Sequence, residues 1–176
     1  MKSILLMVFI TIIVSFSWAQ APYGIELGMA VEQVNNLFQW PIYEEGISGV
    51  HNIQPDLLKN KNLNVFTGYW DGRIVFFDNG IVIGIYTQSE VIEADIAGEK
   101  LLAEWNKYIG LFRTRWGDPV ITDTTRSTPA QSYFEGFNDK GWKLEAVFPN
   151  DIELRIVTQG RFGFTIYFTW GEQRWR

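Results

Sequence analysis

Apolar and polar residues follow two different periods along this chain, and the switches between them divide it into elements. From Met29 to Phe38, the residues Met29, Val31, Val34, Leu37 and Phe38 recur at helical spacing and Pro41 blocks continuation, so the pattern predicts a short helix. Residues 42–62 carry no period and contain Gly46, Gly49 and Pro55. They read as a long loop with a helical turn near Pro55-Asp56-Leu57-Leu58, and loops of this length in compact domains are often functional. In "NVFTGYWDGRIVFFDNGIVIGIYTQ" the dipeptides Asp71-Gly72 and Asn79-Gly80 separate three β-rich runs, at about 64–70, 73–78 and 81–88. Both dipeptides suit two-residue hairpins because they tolerate positive φ. Apolar residues fall on both faces of the second and third runs, which implies strands covered on both sides or one face kept for a partner.

Residues 95–116 predict a second helix, with Ile96, Leu101, Leu102, Trp105, Tyr108, Ile109, Phe112 and Trp116 forming a wide apolar stripe and Gly117 and Pro119 ending it. A polar, Thr-rich loop follows from Thr122 to Gln131. Beyond it the period returns to two, in Leu144, Ala146 and Phe148, then Ile152, Leu154 and Ile156, then Phe162 to Trp170. Turns at Asn138–Gly141, Pro149–Asp151 and Gln159–Arg161 divide an antiparallel meander of about four strands with one buried face. The expected fold class is α+β: two helix-then-antiparallel-meander units, with the helices packed on one face of antiparallel sheet. One domain over 20–176 is expected, with a pseudo-repeat of 24–90 and 91–170.

Ahead of this domain, Lys2 is followed by an apolar run from Ile4 to Phe16 and by Ser17-Trp18-Ala19. That pattern reads as a secretory signal peptide, residues 1–19, cleaved after Ala19, because the run is short of the roughly 20 apolar residues a spanning helix needs. The expected location is therefore periplasmic or secreted. With no Cys there is no thiol for a lipid anchor and no disulfide framework, so the domain relies on its hydrophobic core. Loss of Lys2 leaves 14 basic against 20 acidic residues, moving the net charge from −5 to −6. An acidic chain of this kind argues against nucleic-acid binding, which depends on clustered Lys and Arg. Peripheral membrane association is compatible with this composition.

Within the first helix, Gly28-Met29, three residues, Gln33-Val34, then Leu37-Phe38 and Pro41 resemble the Gly-Met-x3-Gln-Val…Leu-Leu-Gly-x-Pro element of small bacterial envelope proteins. Among these are the small lipoprotein of the outer-membrane barrel-assembly machine (the SmpA/OmlA family) and the β-lactamase inhibitor protein family. The resemblance implies a Gly-Met helix packed on antiparallel sheet in a protein that binds another protein and does not catalyse. Leu111-Phe112 to Gly117-Asp118-Pro119 is similar to the end of the same element. The chain departs from the pattern in carrying Gln39 where the family usually has Gly, and in lacking a lipobox Cys.

Catalytic patterns are absent. His51, read as an exposed loop imidazole, is the only histidine, which removes His-rich metal sites and His-Cys pairs. No Gly-x-Ser-x-Gly elbow or phosphate-binding glycine loop occurs. Glu44-Glu45 and Asp118 with Asp123 could in principle form a glycosidase pair. The acids as a group, including Asp71, Asp78, Asp139 and Asp151, instead read as solvated or turn residues. No cofactor, metal or catalytic residue is expected. Aromatic residues make up 16% of the chain, and Tyr69, Trp70, Trp40 and Tyr43 are the candidate partner-binding residues, with Phe76-Phe77 and Tyr86 nearby on the strands. The sequence thus points to an exported, non-enzymatic protein-binding or envelope-associated domain whose partner is an envelope or secreted protein. The alternative is a periplasmic carrier of small hydrophobic ligands, with a cavity lined by rings such as Phe164 and Trp170.

Overall fold

The computed structural model describes residues 22–39, 48–53, 55–60, 74–160 and 163–171. The signal segment 1–19, the strand at 64–70, the C-terminal Trp175 and the four candidates Trp40, Tyr43, Tyr69 and Trp70 lie outside the described residues.

The chain is α+β. A short helix, α1 (Val31–Leu37), precedes β1 (Gly49–Asn52), β2 (Ile74–Asp78), β3 (Ile81–Gln88) and β4 (Ile92–Glu93). The long helix α2 (Glu99–Trp116) leads to β5 (Val120–Asp123), α3 (Tyr133–Asp139), β6 (Leu144–Phe148), β7 (Ile152–Gln159) and β8 (Gly163–Gly171). Both meanders join one sheet in the order β1-β2-β3-β8-β7-β6-β5, with β4 also on β8, and every pairing is antiparallel. The seam is β3 against β8, where Ile85 faces Trp170 and Thr87 faces Phe168. No described helix is long and apolar enough to cross a membrane.

The Gly-Met element has a local physical explanation. Gly28 takes φ +84°, and its N–H donates to the Val82 carbonyl at 2.8 Å while Val82 N–H donates to Met29 O at 2.9 Å. The segment thus adds a short bridge to the start of β3 before α1 begins. Gln33 Oε1 then accepts the Ala30 N–H at 2.8 Å, satisfying a donor that the first helical turn leaves open. An ion pair from Arg115 to Glu26 ties this segment to α2. The buried Tyr23 hydroxyl meets Thr87 Oγ1 at 2.8 Å and ties it to β3.

Rings from α2 and α3 fill the space above one face of the sheet. Phe112 packs on Phe168 at 5.2 Å and on Phe148 at 6.2 Å, Trp116 on Trp170 at 5.8 Å, and Phe134 and Phe137 on Phe164 at 6.0 and 5.7 Å. Leu144, Ala146, Phe148, Ile152, Leu154 and Ile156 are buried on the same side, as their alternation predicts. The Asn79-Gly80 turn has φ of 49° and 73°, the two positive values its hairpin requires.

Several expectations need correction. The stretch 42–62 is not all loop: its expected helical turn exists over Pro55–Leu57, but Gly49–Asn52 form β1, which exists because β2 supplies a hydrogen-bonding partner and not because four residues carry a period. His51 accordingly sits on a strand, its ring edge-on to Phe77 at 5.8 Å, and is half-buried. The second helix begins at Glu99, and Ile96 is 78% exposed, because Gly98 in the left-handed region breaks any earlier turn. The Thr-rich loop gives its first two residues to β5. The residues between the Thr-rich loop and the 138–141 turn, where the expected meander of about four strands left room for a strand and no helix was expected, form α3, opened by Ser132 Oγ accepting the Glu135 N–H at 3.1 Å.

Candidate functional site

With all ring contacts of α2 and α3 on one side, the alternate residues of the central strands occupy the other. On β7 these are Glu153, Arg155, Val157 and Gln159, paired across with Thr169, Tyr167, Thr165 and Gly163 of β8. β3 adds Tyr86 and Gln88 opposite Thr169 and Tyr167, and β6 adds Glu145 and Val147 opposite Arg155 and Glu153. Toward the sheet's ends this face exposes apolar side chains, Val147 at 46% and its partner Val120 at 75%.

At the centre is an aromatic and cationic cluster. The Tyr86 and Tyr167 rings meet edge to face at 5.2 Å, and the Arg155 guanidinium lies 5.7 Å from the Tyr167 centroid. Gln159 Nε2 donates to the Tyr167 hydroxyl at 3.0 Å. Burial, and then the neighbouring Tyr167 hydroxyl, raise the pKa of Tyr86 far above that of a free phenol, so Tyr86 is neutral at physiological pH. Thr165 and Thr169 are 0% and 1% exposed, and neither hydroxyl has a hydrogen-bond partner. Arg155 Nε is likewise buried and unpartnered. Unmet buried donors are rare because each forfeits the hydrogen bonds water would give it. Here three stand on adjacent strands of one face.

Elsewhere, a concavity of about 460 Å³ lies between Ser89–Glu93 and α2. Its charged groups are largely satisfied within the chain: Lys100 pairs with Glu93 at 2.7 Å and Lys107 with Glu104 at 2.9 Å. The Lys100 ammonium holds the Glu93 carboxyl below its usual range. Burial, with the charges of Glu104 and Glu90, pushes the Tyr108 phenol up to about 12. The Tyr108 phenol is therefore protonated at neutral pH and a poor nucleophile there.

The other sequence candidates are dispersed. Asp118 pairs with Arg113 at 2.7 Å, while Asp123 accepts from the Thr125 N–H at 2.8 Å and from its hydroxyl, both surface roles. Phe164 and Trp170, named for a ligand cavity, pack against helix rings. Among the described residues no group of three or more His, Cys, Asp or Glu could hold a metal. Of the sequence-named aromatics, Tyr86 reaches the open-face cluster and Phe77 is buried in the core. The sequence reading passed over Arg155, Thr165, Tyr167 and Thr169. Their signal lay in the positions between the buried ones of "ELRIVTQ" and "FTIYFTW", where Arg, Thr and Tyr occupy the second phase of the alternation.

Comparison of the chain with known protein families, with curated proteins and with solved structures finds no match.

Proposed function

We propose that this chain is an exported, non-catalytic protein-binding domain of the cell envelope that engages its partner through the sheet face opposite α2 and α3. The observation that carries this reading is Arg155: a half-buried residue beside Tyr167 whose Nε is buried without a hydrogen-bond partner among the described residues, flanked by the buried Thr165 and Thr169 hydroxyls, which also lack one. Arg and Tyr are the residue types that dominate binding energy at protein interfaces. A desolvated cation left unpaired is costly in the free protein, and a partner that completes its hydrogen bonds removes that cost. The Gly-Met element and its resemblance to small envelope proteins point the same way, as does the signal-like segment 1–19.

The test is residue-specific photocrosslinking in cells at native expression. A photoreactive side chain at Val147 or Gln88, on the sheet face, is expected to trap one envelope or secreted protein. The same group at Asn106, exposed on α2, is expected to trap none. Adducts from Asn106 alone, or from no position, would overturn the proposal.

A further inference from the structure

The sheet ends at β5, which pairs with β6 alone among the described strands. The Thr124 N–H donates to Lys143 O at 2.9 Å, and successive residues of an extended strand turn their backbone groups to opposite sides. Val120 and Thr122 therefore bond to β6, while Ile121 and Asp123 aim N–H and C=O away from it, where neither N–H has a partner among the described residues. All four residues of β5 are exposed. Of the seven large apolar residues exposed among those described, Val120, Ile121 and Val147 adjoin at this edge. An unpaired edge bearing exposed Val and Ile is a template for a further strand.

We propose that the added strand is β5 of a second copy of this chain, running antiparallel about a two-fold axis at Ile121. Pro119 has no N–H to donate and ends the pairing edge. Within 119–123, only the registers centred on Ile121 and on Thr122 give both Ile121 and Asp123 an outward-facing counterpart. Centring on Thr122 sets Ile121 beside the Asp123 carboxylate, whereas centring on Ile121 packs it against itself and Val120 against Thr122. In that register the two Ile121 residues exchange both backbone hydrogen bonds, and each Asp123 N–H donates to the Pro119 carbonyl of the other copy. Lys143, opposite Thr124 and without an ion pair among the described residues, falls in the row that ends at Asp118 of the second copy. The symmetry repeats this attraction at both ends, and it is this self-complementarity of backbone, apolar side chains and charge that selects a second copy as occupant. Self-pairing also closes at two, whereas β5 against the β1 edge of another copy would repeat without end. So short an interface makes the dimer weak and controlled by concentration.

The chain contains no Cys, so a single introduced Cys can form a disulfide only between molecules. Residues opposite one another in a hydrogen-bonded antiparallel pair stand about 5.5 Å apart at Cα, within reach of a disulfide. Ile121→Cys, Thr122→Cys and, on the exposed side of α2, Asn106→Cys are each oxidised both purified and in cell extract. Ile121→Cys is expected to give an adduct of twice the chain mass at least about tenfold faster than Asn106→Cys, because prior pairing raises the local thiol concentration. Thr122→Cys should be slower than Ile121→Cys. A faster Thr122→Cys, equal rates at all three positions, or an adduct of Ile121→Cys with a different protein would overturn the proposal. Sedimentation of the Cys-free parent, from about 1 μM to about 1 mM, should show its mass rising toward twice the monomer. Ile121→Pro removes the outward N–H while sparing the bonds to β6, and Ile121→Lys sets like charges on the two-fold; both should abolish the rise. A parent that stays monomeric, or variants that associate as it does, would overturn the proposal. Gln88 lies on β3, away from this edge, so its photocrosslinks still decide separately whether the open face binds another protein.

Discussion

The side chain of Ser89 takes the place of a backbone carbonyl in the pairing with β8. Its Oγ accepts the Ile166 N–H at 3.0 Å, and its own N–H donates to Ile166 O at 2.9 Å. The exchange is needed because β3 and β4 place one more residue along β8 than β8 can match: Gln88 faces Tyr167 and Ile92 faces Phe164. The extra residue is a bulge, and the hydroxyl closes the gap it leaves.

Ser89→Ala strands the Ile166 N–H in the interior, and a loss of about 1–3 kcal/mol is expected. Urea denaturation should give a lower midpoint with an unchanged m value. Hydrogen exchange at the Ile166 amide should accelerate more than at its neighbours. An unchanged midpoint would show that backbone pairing alone holds the seam.

A helix glycine replaced by alanine normally gains about 1 kcal/mol of stability. At Gly136 of α3 the sign should reverse. A Cβ there would lie 2.2 Å from Trp142 Cε3 and 2.3 Å from Cδ2, inside an indole that is itself held by a hydrogen bond from Nε1 to Thr128 O at 3.0 Å. Gly136→Ala is expected to cost about 1–3 kcal/mol through overpacking, read as a lower denaturation midpoint. A raised midpoint would mean the indole swings aside freely.

That pair also marks where the sequence was readable and where it was not. The 3.6 period of α2 and the alternation of β6, β7 and β8 report burial directly, so those elements and their inward faces follow from pattern. α3 has no comparable stripe in seven residues; its cue was the Ser132-x-x-Glu135 cap, which a reading based on periodicity passes over. β1 has neither cue, since its four residues are a strand only because β2 runs beside them. The open-face cluster was hidden for a related reason. Arg155, Thr165, Tyr167 and Thr169 look like ordinary outward positions until the β7 to β8 register sets them side by side and leaves Arg155 Nε and the two threonine hydroxyls without partners.

Gly28 tests what the Gly-Met element requires. Nothing lies within 4 Å of the position a Cβ would take, so the demand is for the backbone angle of +84° and not for space. Gly28→Ala should therefore cost about 1–2 kcal/mol, and Gly28→Asn less, because Asn visits this region more readily. Equal losses in the two variants would instead implicate side-chain bulk. Thermal unfolding of both separates the explanations.

Asp95 makes the opening of α2 sensitive to acid. Its Oδ2 accepts the Lys100 N–H at 3.0 Å and its Oδ1 the Glu99 N–H at 2.9 Å. The Lys100 bond is the main reason its carboxyl is held below the usual range. A depressed folded pKa adds stability that is fully present above the unfolded value of about 3.9 and is lost as pH falls through the lower folded value. Asp95→Asn should accordingly melt at a lower temperature than the parent at neutral pH, with the gap closing in strong acid. A gap constant across that range would assign the effect to hydrogen bonding without charge.

Thr165 and Thr169 should respond to substitution in the opposite way from most core residues. Each buries a hydroxyl without a partner, a state that costs about 1–3 kcal/mol relative to a satisfied or absent polar group. Valine has the same branched shape and no hydroxyl, so Thr165→Val and Thr169→Val are each expected to raise the denaturation midpoint, and the pair to raise it further. They stand four residues apart on β8 with Tyr167 between them, so near-additive gains are expected, with any shortfall reporting coupling through that ring. If the stabilised variants also lose photocrosslinked partner from Val147, the hydroxyls exchange folding stability for recognition. A fall in stability would mean that ordered water completes these hydroxyls in solution, which would remove the driving force that the open-face site is argued to possess.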